Sequence, residues 1–181
     1  DYAFASCSFL KTVTMPDNLT EIGSYAFSGC SGLAGIELSG SLASIGNNAF
    51  KNCTGLRSIS LPASLTSIED SAFYGCSGLS SVSIPDHLTK LSSYLFSGCT
   101  GLTQISLPET LTRIRHYAFN GCTGLSEIVI PDSVTAISGY AFRNCSNLTS
   151  VTLPVSWETV DTGSYNDRSP FADCTRLTQV T

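Results

Sequence analysis

Charge is scarce in this chain. Asp, Glu, Lys and Arg make up 13% of its 181 residues, about half the usual share for a soluble protein. Nine cations against 14 acids leave a net charge of -5. Such a composition offers no basic stripe to displace counterions from nucleic acid phosphates and no attraction to an anionic membrane. Long apolar runs are missing as well; nothing approaches the ~18 residues that would suggest a spanning helix, so direct membrane insertion is not expected. No Cys-x-x-Cys pair occurs, which removes the commonest zinc spacing. Nor does a signal-peptide pattern open the chain. Asp1-Tyr2-Ala3-Phe4 belongs to a motif that recurs later, and the expectation is a piece of a longer protein.

What the chain has instead is a beat. Cysteine falls at Cys7, Cys30, Cys53, Cys76, Cys99, Cys122 and Cys145 in steps of 23, then at Cys174 after 29. Phenylalanine keeps the same interval at Phe4, Phe27, Phe50, Phe73, Phe96, Phe119 and Phe142, then at Phe171 with the same six extra residues. Proline follows at Pro62, Pro85, Pro108, Pro131 and Pro154, with Pro16 before them and Ser39 where one is missing. Three columns sharing one period and one insertion define a repeat architecture. The whole of 1–181 reads as a single domain of about seven 23-residue repeats with partial repeats at both ends and an insertion within 161–170. Neither end shows an evident polar cap, so end-to-end self-association is a further expectation.

Within a unit the apolar spacing changes. In Leu79-Ser-Ser-Val82-Ser-Ile84-Pro85 it closes on a period of two, which predicts a short strand with Val82 and Ile84 inward. Proline ends the ladder. Leu88 and Leu91 then supply a second inward pair on the returning side. The Ala-Phe-x-x-Cys segment suggests a single helical turn, closed by Gly29, Asn52, Gly75, Gly98, Gly121, Asn144 or Asp173, residue types that tolerate a left-handed cap. Another Gly/Asn column (Gly32, Gly55, Gly78, Gly101, Gly124, Asn147) suggests a second tight turn. One unit cannot bury enough apolar surface to offset the ordering of its own backbone. Stability has to come from stacking, with strands of successive units about 4.8 Å apart over a shared core.

The string Leu102-Thr-Gln-Ile105-Ser-Leu107-Pro108-Glu-Thr-Leu111-Thr-Arg-Ile114-Arg-His-Tyr-Ala118-Phe119-Asn-Gly-Cys122 resembles the BspA-like leucine-rich repeats. The likeness runs over essentially the whole chain. It implies a mostly β, α/β-type repeat fold: an open right-handed leucine-rich-repeat solenoid with a parallel concave β-sheet and short helical turns on the convex side. It also implies an extracellular or cell-surface adhesion module whose partners are host or neighbouring-cell surface or matrix proteins. The matching positions are core positions, so the resemblance does not name the ligand.

The constellations that carry chemistry elsewhere have bland readings here. The cysteines share one column at a core spacing, so they read as a ladder of buried free thiols rather than disulfides or zinc ligands. His87 and His116 lie in different columns, and no Ser-His-Asp set or recurring carboxylate pair lines one edge; no enzyme, no metal and no cofactor is expected. The tyrosines two residues before Phe (Tyr2, Tyr25, Tyr94, Tyr117, Tyr140) either pack along the spine of the stack or form an aromatic strip. A threonine column (Thr20, Thr66, Thr89, Thr112, Thr135) raises an ice-ordering face, which its irregular neighbours argue against.

The outward strand positions are the best candidates for binding: Thr12, Thr14, Glu37, Ser60, Ser83, Gln104, Ser106, Glu127 and Thr152, a hydroxyl-rich, nearly uncharged surface suited to weak multivalent contact. Trp157, Tyr165 and Arg168, in and beside the insertion, add the one stretch that combines aromatic and charged side chains outside the repeat. Two other roles fit the same sequence: a structural spacer for a neighbouring domain, and a carbohydrate-binding module, the latter weakened by the lack of aromatic platforms.

Overall fold

The structure is a computed structural model, and it describes residues 1–156 and 169–181. The chain winds as a stack of coils in which every inter-strand pairing is parallel and advances by one repeat. Glu21 pairs with Ser44 and Ser44 with Ser67; Ser81 pairs with Gln104, and Lys90 with Arg113. The six-residue insertion leaves this register intact, because Ser150 pairs with Glu127 on one side and Gln179 on the other.

Each coil has two strand positions, as the apolar spacing predicts. The first row holds β4 (Ser81–Ser83), β6 (Gln104–Ser106), β8 (Glu127–Val129), β10 (Ser150–Thr152) and β11 (Gln179–Val180). The returning row holds β1 (Glu21–Ile22), β2 (Ser44–Ile45), β3 (Ser67–Ile68), β5 (Lys90–Leu91), β7 (Arg113–Ile114) and β9 (Ala136–Ile137). Between the rows the chain turns at the proline column, where the Pro62, Pro85, Pro108 and Pro131 carbonyls accept from the N–H three residues on. Ser39 makes the same turn: its carbonyl accepts from Leu42 at 3.1 Å, and its hydroxyl donates to the Asp17 carbonyl at 2.6 Å.

The predicted helical turn is not there. Among the described residues there is no helix, and the segment from Tyr25 to Cys30 is a chain of tight turns instead. The backbone explains why. The residue two before Phe in the coils ahead of the insertion is left-handed, with φ of 57° at Tyr25, 58° at Tyr94 and Tyr117 and 63° at Tyr140, and Asn48 and Ser71 share the conformation. Four residues later the Gly/Asn column is left-handed too, as expected, with Gly29 at 77° and Asn52 at 57°. Two left-handed residues four apart in each coil cannot belong to an α-helix. Instead alternate N–H groups leave the coil. Those of Ala26, Ser28 and Cys30 bond three residues back, while those of Tyr25, Phe27 and Gly29 donate to Asn47, Ala49 and Lys51 of the next coil at 2.7–2.9 Å. Holding a tyrosine in this conformation costs about 1–2 kcal/mol, offset by the inter-coil hydrogen bonds and by ring stacking.

The second glycine column does lie in a tight turn, the Cys30 carbonyl accepting from the Leu33 N–H at 3.1 Å, but the turn is not what demands glycine. Gly32 and Gly124 are not left-handed; their Cα atoms abut the preceding coil. A Cβ on Gly32 would lie 2.6 Å from the Ser8 carbonyl oxygen, and one on Gly124 2.7 Å from that of Thr100. Within that turn, close backbone approach selects glycine.

The core follows the columns. Phe50, Phe73, Phe96, Phe119 and Phe142 are fully buried, as are Cys53, Cys76, Cys99, Cys122 and Cys145 and the leucine three residues after each. The Phe rings stack without interruption from Phe4 to Phe171, centroids 5.0–5.6 Å apart.

Candidate binding faces

The thiols are free, and all but Cys7 and Cys174 are buried. They do more than fill space. Cys53 Sγ donates to the Phe27 carbonyl at 3.1 Å, Cys76 to Phe50 at 3.0 Å and Cys99 to Phe73 at 3.2 Å, a pattern that runs from Cys30 to Cys174. The same carbonyl also accepts the N–H of its own coil's cysteine, as Phe27 does from Cys30. Both acceptor sites of a buried carbonyl are thus used, which a plain apolar side chain in this column could not achieve. Burial pushes the thiols from Cys30 to Cys122 up, Cys53 and Cys99 to about 12, which keeps them protonated and unreactive at neutral pH. His87 and His116 are both exposed, and His116 Nδ1 lies 3.3 Å from the Gly139 carbonyl. Among the described residues no group of three His, Cys, Asp or Glu side chains is placed to hold a metal.

The threonine columns are also occupied locally. Thr66 Oγ1 donates to the Ala43 carbonyl, Thr112 to Thr89 and Thr135 to Thr112, at 2.9–3.3 Å. Hydroxyls committed to the coil below are poorly placed to order water.

Outward alternation holds on the first row. Thr12, Thr14, Glu37, Ser60, Ser83, Gln104, Ser106 and Glu127 are exposed, and Thr152 is half-buried, its hydroxyl 3.3 Å from that of Thr181. The row itself is uneven. Strand pairing joins β4 to β6, β8 to β10 and β10 to β11. Among the described residues no backbone hydrogen bond joins 12–14 to 35–37, and on this row the third coil meets the fourth through an isolated bridge, Ser58 to Ser81, beside the Ser80 N–H bond to the Arg57 carbonyl at 3.1 Å. Where the row opens there is a groove of about 940 Å³, bordered by Thr12, Thr14, Glu37, Asp17 and Ser60 with Ile36 in its floor. A second basin of about 500 Å³ shares Ser58, Ile59 and Ser60 with it and extends to Ser83. The structure therefore gathers four of the candidate residues, Thr12, Thr14, Glu37 and Ser60, at one trough, with Ser83 at the adjoining basin. Gln104, Ser106, Glu127 and Thr152 lie further along the row, outside it. Trp157, Tyr165 and Arg168 lie outside the described residues.

The tyrosine column forms two stacks. Tyr2 lies on Tyr25 at 4.7 Å, and Tyr94 on Tyr117 at 4.8 Å, with Tyr140 tilted beyond at 5.2 Å. At the break, Tyr74 projects from the neighbouring column with Lys51 over its ring at 5.3 Å. Burial, with Tyr117 and Tyr74 close by, pushes the Tyr94 phenol up, so its hydroxyl stays a proton donor. At the far end Arg143 covers Tyr140 and pairs with Asp173 at 2.9 Å. Spine and strip are thus the same feature: the rings stack upon one another along the coil edge, with Tyr74 and Tyr94 exposed.

A stack of parallel coils with a leucine and a phenylalanine on every rung is a leucine-rich-repeat solenoid. A BspA type leucine-rich repeat region, in six copies, matches residues 1–103 and 89–181, and the chain belongs to that family. Among solved structures it is similar to a leucine-rich cell surface protein of Faecalibacterium prausnitzii, at 35% identity and a TM-score of 0.70, over 78% of this chain and 38% of that one. It is also similar to the Treponema pallidum leucine-rich repeat protein, at 28% identity and a TM-score of 0.77, over 92% and 78% of the two chains. A Bacteroides ovatus leucine-rich repeat protein matches at 25% identity and a TM-score of 0.50, over 99% of this chain and 53% of that one. No curated protein matches the chain. The chain thus spans well under half the length of the Faecalibacterium protein. The family is typically a non-enzymatic repeat scaffold, and of these three proteins the one from Faecalibacterium prausnitzii is described as a cell surface protein.

Proposed function

We propose that the chain is a protein-binding module of a secreted or surface-displayed adhesin, with no catalytic role, and that it meets its partner on the hydroxyl-rich first row. The open stretch of that row carries the proposal. There the trough is bordered by small hydroxyls and two acids, Glu37 and Asp17, with no cation among its lining residues. A shallow polar surface repeated over several coils suits a partner that makes many weak contacts rather than one deep anchor. We take this face as the concave side of a right-handed solenoid and the partner as a surface or matrix protein of a host or neighbouring cell. Gln104, Ser106, Glu127 and Thr152 extend the same surface, and Trp157, Tyr165 and Arg168 are candidates beside it.

The test is binding of the labelled chain to immobilised matrix proteins and to epithelial monolayers. Saturable binding that falls in Glu37→Lys and Glu127→Lys supports the reading. A chain that serves as a spacer binds neither surface, and that result refutes it. Binding that is competed by monosaccharides and indifferent to both substitutions refutes it in favour of a carbohydrate site.

A further inference from the structure

The returning row carries a cluster that the function above does not use. Lys90 of β5 and Arg113 of β7 are partners in register, so two like charges face outward side by side on adjacent strands. Arg115 follows one residue past the buried Ile114, exposed like Arg113, with its N–H still bonded to the Leu91 carbonyl at 3.0 Å. The chain has nine cations in all and a net charge of -5, yet three of the nine meet in two consecutive coils. Among the described residues none of the three has an acid within ion-pair distance; the ion pair found there is Arg143 with Asp173.

Nothing in the fold asks for these cations. The position of Lys90 and Arg113 is filled in other coils by Glu21, Ser44, Ser67 and Ala136, and that of Arg115 by Gly46, Glu69 and Ser138. Like charges opposite one another on neighbouring strands are destabilising. A sparsely charged protein that stacks them has placed them against its own stability.

Their spacing suggests what they meet. Arg113 and Arg115 are two residues apart on extended backbone, about 6.6 Å, and neighbouring strands lie about 4.8 Å apart. An extended peptide repeats its side chains on one face at the same ~6.6 Å interval. Each guanidinium can take a carboxylate through two parallel N–H donors. Two residues further on lies Tyr117, half-buried and stacked on the exposed Tyr94, and tyrosine and arginine are both enriched at protein interfaces. We infer that the Lys90–Arg113–Arg115 patch is a second interaction surface, which docks an extended acidic segment of a partner protein with carboxylates at alternate positions. It lies on the returning row and does not depend on the first row being the adhesive face.

Fluorescence anisotropy with a labelled (Glu-Ser)6 peptide and the whole chain tests this. Saturable binding is expected, weaker at high salt because exposed charges are screened. The Arg113→Ser/Arg115→Ser variant should lose affinity by about tenfold or more, while Arg57→Ser, an exposed cation elsewhere, should not change it. Serine occupies the same columns at Ser44 and Ser138, so the double variant should fold, which circular dichroism checks. The proposal is overturned by no binding, by equal loss in Arg57→Ser, or by equal affinity for a peptide with its glutamates in one block. It is also overturned if dextran sulfate binds and (Glu-Ser)6 does not, since the patch then serves a polysaccharide.

Discussion

Truncating Phe119 to alanine tests the stack most directly. Its ring is fully buried and sandwiched, 5.6 Å from Phe96 and 5.0 Å from Phe142. A buried Phe→Ala change costs about 3–5 kcal/mol in transfer and cavity terms. Stacking adds roughly 0.5–1.5 kcal/mol for each ring contact beyond burial. Phe119→Ala should therefore fall near the top of the truncation range, about 4–5 kcal/mol. For a chain of this length that lowers Tm by roughly 10–20 °C. Two controls make the figure diagnostic. Phe4→Ala removes a ring that is 41% exposed, with Phe27 stacked on it at 5.3 Å, and should cost about 1–2 kcal/mol. Ser83→Ala alters an exposed first-row residue and should stay within about 0.5 kcal/mol. Urea unfolding followed by far-ultraviolet circular dichroism measures all three. If Phe119→Ala costs no more than Phe4→Ala, the rings do not hold the coils together.

Four further outcomes follow from the packing. Gly124→Ala should destabilise by about 1–3 kcal/mol, since its Cβ would press on the Thr100 and Leu102 carbonyls at 2.7 and 2.8 Å, an overpacked contact with backbone. Gly35→Ala, with open space around its Cβ, should be neutral or stabilise by up to ~1 kcal/mol through the unfolded chain; paired urea melts distinguish them. Stability should fall as pH rises from about 9 to 12. The buried thiols of Cys53 and Cys99 are pushed up to about 12 from an ordinary 9.0. The unfolded chain therefore releases protons that the folded chain keeps, at about 1.4 kcal/mol per pH unit per thiol; thermal melts across that window that stay flat would refute the burial. With a thiol-reactive disulfide reagent at neutral pH, exposed Cys7 should react at once and half-buried Cys174 slowly, with the rest modified only in denaturant. A fast phase from all eight would place the ladder outside.

Much of this architecture is written in the repeat. The Phe, Cys and Leu columns announce the core, and alternation around Val82 announces which face is outward. Even the insertion is legible, because both columns resume after the same six residues, and Phe171 stacks on Phe142 accordingly. The helical turn that the spacing predicts is absent for a physical reason. Ala-Phe-x-x-Cys has helical spacing within a coil, but its hydrogen bonds run to the next coil, and local propensity is blind to partners 22 residues away. A hint was available: Asn48 and Ser71 replace tyrosine in that column, and asparagine is a residue that accepts left-handed backbone. The trough was not legible, because whether the first row closes depends on distances between coils and not on which residues face outward.

The same reasoning explains where binding information can sit in such a chain. Columns that every coil repeats are held by packing, down to the choice of cysteine, whose S–H completes a buried carbonyl. They cannot distinguish one partner from another. Recognition is left to outward positions free to differ between coils, and there a departure from the column is the signal. Glu37 on the first row and Lys90, Arg113 and Arg115 on the returning row are such departures, opposite in charge and on different faces. The cationic group was visible in principle from the 23-residue period alone, since residues 90 and 113 must be neighbours. A count of net charge hides it, because an acidic total does not prevent a basic patch once stacking decides which side chains stand together.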